Sequence, residues 1–443
     1  MGISLSATKI LQTNFEKIIS NEELVELLIT GKFYEFEQIL YSQILGLYDN
    51  VCKSFIRLVS FSPEHVLNQK KAAAKRGLKK LEFRKASIQL RTGTKIKHAS
   101  LYAKQAPSTY EGSRHLSSIL WQTELSCSPM YKSISCLFSV ICPSFEVSKS
   151  LLRYQNIKSN YERIRQVSLG LAESCIANRS SIQLSKGETL ADQKVVIAMD
   201  GGRTRTRVYE KDKVGRKEKY TTQWREPKMF VIATCDDQGK LNKDCKPIYD
   251  TTFGDDEIFE LLTEYLTNLQ IDKAKSVQFL ADGAPWIWNR VKPMLIGLGV
   301  EEDKIIETLD YYHAVEHLHE MKIYFDQGEQ KECFTELKQA LWEGNIEEMG
   351  QLIKRGIKDV DLEKFNPFKY FKKLEKQIDY QSLKESNRPC GSGIIESAIR
   401  RIVNLRFKSP SSFWYPENVE KLMFMRGVAL SGRWEIMMNN KFA

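Results

Sequence analysis

Lys194-Val-Val-Ile-Ala-Met-Asp200-Gly-Gly-Arg203 is an apolar run of strand length that delivers a single carboxylate to a Gly-Gly turn. The design recurs at Ser276-Val-Gln-Phe-Leu-Ala-Asp282-Gly and at Lys304-Ile-Ile-Glu-Thr-Leu-Asp310. Three strands that each end in an aspartate, set at one edge of a sheet, gather acidic side chains. Such a cluster cannot stay fully ionised in a confined site unless something positive neutralises it. A divalent cation is the usual answer, and Mg²⁺ prefers carboxylate and water oxygens. The pattern points to metal-dependent phosphoryl transfer.

A chain of 443 residues exceeds one ordinary core, so two or three domains are expected. The net charge of +10 favours a polyanionic partner. Its distribution says more than its size: Lys70 to His98 holds eight lysines and three arginines against one acid, Glu82. Lys75, Arg76, Lys79 and Lys80 in that segment are candidate contacts to nucleic-acid phosphates, where basic side chains displace condensed counterions. Nine cysteines without a C-x-x-C pair suggest neither a disulfide framework nor a zinc site, and imply a reducing, cytoplasmic setting. The longest apolar patch, Ile134 to Cys142, is about half of what a bilayer requires, so no membrane association is expected.

Residues 14 to 60 read as helix, with Leu24, Leu27, Leu28, Phe33, Phe36, Ile39, Leu40, Ile44 and Leu47 forming a stripe. That stripe is expected to be a packed core face; a dimerisation surface is the alternative. The basic segment 70–86 follows, then alternation at Ile88, Leu90 and Ile96 around Thr92-Gly93, the pattern of a short β-hairpin. From Ser144 to Gly170 lies a candidate helix-turn-helix. Ser144 caps the first helix and Ile157 plugs the turn. The second helix turns Ile164, Val167 and Leu169 inward and Arg163 and Arg165 outward, which suits a recognition helix in a major groove or, equally, an ordinary helical hairpin. Residues 176–193 read as a polar linker. Strands are then expected at 194–200, 206–210 and 228–235, a helix at 255–269, a strand at 276–281, a helix from Ala284, and a strand at 305–309. This β-β-β-α-β-α-β order predicts an α/β fold with a ribonuclease-H-like catalytic core. The core is interrupted by an all-helical insertion and preceded by a mainly helical DNA-binding region. The expected divisions are 1–69, 70–180, 194–311, 312–388 and 389–443.

Asp200 and Asp282 fall at the ends of strands expected to be neighbours, and Glu396 in the first turns of a helix that can lie against the same edge. Two aspartates and a glutamate can hold two Mg²⁺ (or Mn²⁺) ions, one activating the attacking oxygen and the other steadying the leaving oxygen. Arg400, Arg401, Arg406 and Lys408 follow Glu396 and can grip a DNA backbone. Trp414 is placed in the core or, alternatively, against an extruded base. Trp224, Arg225 and Glu226 are expected to pack near the third strand.

The blocks Asp200-Gly-Gly-Arg, Trp224-Arg-Glu-Pro-Lys, Ala281-Asp-Gly-Ala-Pro-Trp-Ile-Trp288, Leu309-Asp-Tyr-Tyr-His313-Ala-Val-Glu-His317-Leu and Gly391-Ser-Gly-Ile-Ile-Glu396-Ser occur in order. Together they resemble prokaryotic insertion-sequence transposases, DDE enzymes of the Mutator-like superfamily with a helical insertion. The resemblance covers about 195–430. It implies DNA transposition: metal-dependent cleavage of double-stranded DNA at element ends, then transfer of the 3′-hydroxyl into target DNA. It assigns Asp200, Asp282 and Glu396 as catalytic and metal-binding, and Asp310 with His313 as an accessory Asp-x-x-His signature. It also implies a homodimer or larger assembly on DNA, near the nucleoid of a prokaryote. Read from the residues alone, His313 and His317 suit packing or hydrogen bonding better than metal binding. A domesticated, non-catalytic DNA-binding protein and a ribonuclease-H-like nuclease are the alternatives.

Overall fold

The computed structural model describes residues 15–209, 220–357, 360–408 and 413–443, together with Lys9, Gln12 and Thr13. The chain divides into two compact units that meet in sequence at Ser174 and Cys175. The segments 1–69 and 70–174 therefore belong to one unit.

In the first unit, helices α1 (Glu22–Ile29), α2 (Phe33–Ser60) and α3 (Pro63–Lys75) precede a hairpin of β1 (Lys79–Gln89) and β2 (Lys95–Gln105). Ser62 caps α3 by accepting the His65 N–H, and Pro63 occupies the first turn, where its missing N–H costs nothing. The basic segment therefore splits into a helix end and a strand start, and the hairpin is longer than its alternation suggested. Ile88 faces Ile96 across it. Gly93 closes the turn at φ +83°, and a Cβ there would lie 2.0 Å from the Lys158 carbonyl oxygen, so only glycine fits. Asp49 of α2 accepts from the hydroxyls of Thr92 and Thr94, at 2.6 Å each, and pins the hairpin to the helix.

The apolar stripe of α1 and α2 is only partly packed: Leu24 is buried, Leu27, Phe36, Ile39, Leu40 and Leu47 are half-buried, and Leu28, Phe33 and Ile44 are exposed. Cys52 and Ile56 reach the hairpin, but Ile29, Phe33, Tyr41 and Ile44, farther toward the N-terminus, stay exposed. The remaining helices are α4 (Leu116–Leu120), α5 (Pro129–Ile141), α6 (Phe145–Tyr154) and α7 (Tyr161–Ile176). Ser144 caps α6 through the Val147 N–H, and Ile157 is buried in the turn, as the sequence suggested. Ile164 and Val167 face inward, followed by Leu171 and Ala172, while Leu169 is only half-buried.

The second unit is built on a five-stranded sheet in the order β7-β6-β3-β8-β9. Its strands are β3 (Lys194–Gly201), β6 (Lys228–Cys235), β7 (Ile248–Thr252), β8 (Ser276–Ala281) and β9 (Ile305–Leu309). The β3–β6 and β6–β7 pairs are antiparallel; β3–β8 and β8–β9 are parallel. Strands β4 (Thr204–Tyr209) and β5 (Tyr220–Arg225) form a separate hairpin, so the expected strand at 206–210 is not part of the central sheet. The sheet takes Ile248-Tyr-Asp-Thr-Thr instead. Its polar composition hides it from a pattern search, yet all five residues are buried. Asp250 there accepts from the Tyr265 hydroxyl (2.8 Å) and stands 3.7 Å from the Arg179 guanidinium. Residues 176–193 are likewise built in: Gln183 donates to the Tyr265 hydroxyl and Leu190 enters the core.

Val195, Ile197 and Met199 of β3 pack with α8 (Asp255–Asn268) and α9 (Pro285–Gly297) on one face. On the other face lies α15 (Gly393–Ile399), against β3 and β6. Covering both faces explains why these strands read as unbroken apolar runs. Between β9 and α15 come α10 (Tyr311–Met321), α11 (Gln330–Trp342), α12 (Ile346–Gly356), α13 (Asn366–Lys373) and α14 (Tyr380–Glu385), which share one core with Leu309. After α15 a π-turn (Arg400–Asn404) leads toward α16 (Pro416–Leu430), which packs on β7.

Candidate metal centre and nucleic-acid interface

Strand pairing sets the three aspartates side by side. Met199 is opposite Ala281, and Ala281 opposite Leu309, so Asp200, Asp282 and Asp310 each follow at the same level of the sheet. Each carboxylate is also held locally. Asp200 accepts from the Gly201 N–H (2.6 Å), and Asp282 from the Ala284 N–H (3.0 Å) at the start of α9. The Trp288 indole donates to the Asp282 carbonyl at 2.7 Å. Burial, with a smaller contribution from the Asp282 charge, pushes Asp200 up to about 6, against the pull of the Gly201 N–H. A carboxylate held so far above its ordinary range is one that a cation would ionise.

Asp310 is fully buried and caps α10 through the Tyr312 N–H. It also accepts from the Ser392 N–H (3.0 Å) and the Ser392 hydroxyl (2.7 Å). That hydroxyl lies 3.2 Å from Glu396 Oε1, so one serine ties the end of β9 to the first turn of α15. The consequence departs from the expected trio. Among the described residues, the group whose ligand atoms all lie within 4.8 Å of one another is Asp310, His313 and Glu396, without Asp200 or Asp282. The physical reason is the pair of bonds from Ser392 to Asp310, which brings the start of α15, and Glu396 four residues on, to the β9 corner. Asp282 meanwhile is tied to its own helix start.

His313 thus has a place among carboxylates that its spacing to His317 did not reveal. Its Nδ1 is 3.3 Å from Glu316 and its Nε2 3.9 Å from Asp310. His317 instead packs on the Tyr370 ring. Glu226, expected merely to pack, contributes negative charge at Asp200 and pairs with Lys228 at 2.7 Å. Carboxylates with one imidazole suit Mg²⁺ or Mn²⁺ better than a thiol-seeking metal. The donor set fits a divalent cation.

The basic candidates divide. Lys75, Arg76, Lys79 and Lys80 are exposed around the junction of α3 and β1. Arg400 is exposed, whereas Arg401 is half-buried and donates to the Tyr249 hydroxyl (3.2 Å). Arg165 pairs with Glu162 on the surface of α7. Arg163, expected to face outward, turns back into the unit. Its guanidinium donates to Gln89 and to the Leu125 carbonyl, because the hairpin end lies within its reach. Arg406, expected to grip a DNA backbone, is instead buried over the Trp414 ring, and Trp414 packs on Phe407, in line with its core placement rather than its base-stacking alternative.

No protein-family model matches this chain, and no curated protein matches it. Among solved structures, the Drosophila P element transposase strand transfer complex overlays on 71% of this chain and 81% of its own, with 12% identity and a TM-score of 0.28. A likeness of that size carries no argument about fold or activity.

Proposed function

We propose that this chain is a DDE-type DNA transposase whose catalytic core is a ribonuclease-H-like sheet interrupted by the helices between β9 and α15. The observation that carries the reading is the row of Asp200, Asp282 and Asp310 on adjacent strands, with Glu396 delivered by a helix laid across the sheet. The five sequence blocks fall on that edge and its supports.

A divalent cation taken up at this edge, where Glu396 stands with Asp310 and His313 and where Asp200 feels the charges of His313 and Asp282, would stabilise charge developing on phosphate oxygens during strand cleavage and transfer. The chain's own residues do the rest by position. Asp310 holds Ser392 through its N–H and hydroxyl, and with it the start of the helix that carries Glu396. The Gly201 and Ala284 N–H groups orient the two leading aspartates. Arg400 and the Lys75–Lys80 group supply positive charge for DNA phosphates. Pairing two DNA ends requires at least two copies of the chain, and the exposed stripe on α1 and α2 is the surface we assign to that contact.

The test is strand transfer by purified protein on duplex DNA carrying the ends of its own element, in Mg²⁺ or Mn²⁺, beside Asp282→Asn. Joined products that disappear in the variant support the reading. Cleavage without joining makes the protein a nuclease. Binding with neither reaction makes it a non-catalytic DNA-binding protein.

A further inference from the structure

The β4–β5 hairpin leaves the acidic edge three residues after Asp200 and has no part in the central sheet. Its sequence alternates: Thr204-Arg-Thr-Arg207 on one strand, preceded by Arg203, with Tyr220 and Trp224 on the other. Trp414 adds a third line of backbone beside β4. Its N–H donates to the Arg205 carbonyl, and its carbonyl accepts from the Arg207 N–H. Because side chains alternate across a sheet, Arg205, Arg207, Tyr209, Tyr220 and Trp224 share one face with Phe413 and Tyr415. Trp414 points the other way, onto Phe407 and Arg406.

That face holds two cross-strand rows. In one, the Arg205 guanidinium lies 4.8 Å from the Trp224 ring centre and 5.9 Å from Phe413. In the other, Arg207 lies 4.7 Å from Tyr220 and 5.6 Å from Tyr415. Tyr209 stacks on Tyr415 at 5.4 Å with the rings nearly parallel. Among the described residues no carboxylate pairs with either arginine; ring faces are their neighbours. Trp224 is 49% exposed and Tyr220 nearly 40%, an unusual cost for two large rings on a small hairpin unless something covers them.

We infer that this face is a binding platform for single-stranded DNA. Flat rings on an open sheet accept unpaired bases by stacking, while arginines between them neutralise phosphates. A duplex keeps its bases paired and stacked on one another, so it offers the phosphates but not the π-faces. An acidic protein partner would satisfy the arginines and leave the rings without a counterpart. The stacking role that the sequence suggested for Trp414 thus passes to Trp224 and Tyr220 on the opposite face.

The experiment is fluorescence anisotropy with full-length protein in EDTA, using a labelled oligothymidylate of about 16 nucleotides, a duplex of equal length, and the matching oligouridylate. Omitting metal separates this test from catalysis. Trp224→Ala with Tyr220→Ala is expected to weaken single-strand binding by roughly tenfold or more, with duplex binding unchanged. Trp224→Phe with Tyr220→Phe is expected to retain it, which guards against a folding defect. Quenching of tryptophan fluorescence by the single strand, reduced in Trp224→Phe, would locate the contact. Equal losses for single strand and duplex would overturn the proposal in favour of a general phosphate surface. Preference for the uridylate would make the partner RNA, and an unchanged single-strand affinity would remove the platform altogether.

Discussion

Asp200 carries a stability consequence that separates it from an ordinary surface acid. In the folded chain its carboxyl is raised from 3.8 to about 6. Between those values the native state holds a proton that the unfolded chain has released, so stability falls as pH rises toward 6 and stays reduced above it. Asp200→Asn removes the penalty. Holding a carboxyl that far above its ordinary range costs about 3 kcal/mol as an upper bound, and solvent at the sheet edge lowers that to about 1–2 kcal/mol. The variant is expected to melt higher than wild type at about pH 8 without metal, the gain vanishing near pH 4. Mg²⁺ is expected to stabilise wild type and not the variant; an equal rise in both would place the cation elsewhere. Asp200 and Asp282 could be picked out from sequence because each follows an apolar run. The Ser392 clasp could not, since nothing local links residue 392 to Asp310.

The β1–β2 hairpin shows how an element can depend on a buried titratable group of the first unit. His98 of β2 is pushed down to about 4 by burial, with His115 and His65 adding repulsion. Its Nε2 meets the Ser117 hydroxyl at 3.0 Å, and its ring lies 5.2 Å from Trp121. The neutral imidazole is what the fold accommodates. Stability from this residue is complete above the unfolded value of 6.5 and is lost as pH falls toward 4. Acid titration followed by hairpin amide exchange is expected to show loss of protection across that window, and His98→Phe to flatten it. A profile unchanged in the variant would assign the acid sensitivity to another group. Period-two alternation near Thr92-Gly93 made the hairpin readable, whereas its full length was masked by lysines on the exposed face. Strand β7 escaped for the opposite reason: its Asp and Thr residues are buried because Tyr265 and Arg179 satisfy Asp250.

At the scale of the whole molecule, α1 and α2 keep several large apolar side chains exposed. Ile29 is 80% exposed and Phe33 58%, while Leu24 is the buried hydrophobic residue of α1. Sedimentation of the full chain is expected to give a dimer or larger species. Phe33→Ser with Ile44→Ser is expected to return it to monomer with little change in melting temperature, since exposed positions contribute within about 0.5 kcal/mol. A lower melting temperature with unchanged mass would show that the stripe packs within its own chain. What the amino acids determined were the local features: strands that end in aspartate, capped helix starts, a glycine turn and a lysine-rich hairpin. Each follows from residue type at a spacing of a few positions. Strand order, the register of Asp200, Asp282 and Asp310, and the delivery of Glu396 beside His313 were settled only when distant segments packed. So was the face shared by Arg205, Arg207, Trp224 and Tyr415. Those arrangements arise from pairing and burial between residues as far apart in sequence as Arg207 and Tyr415, and no local pattern records them.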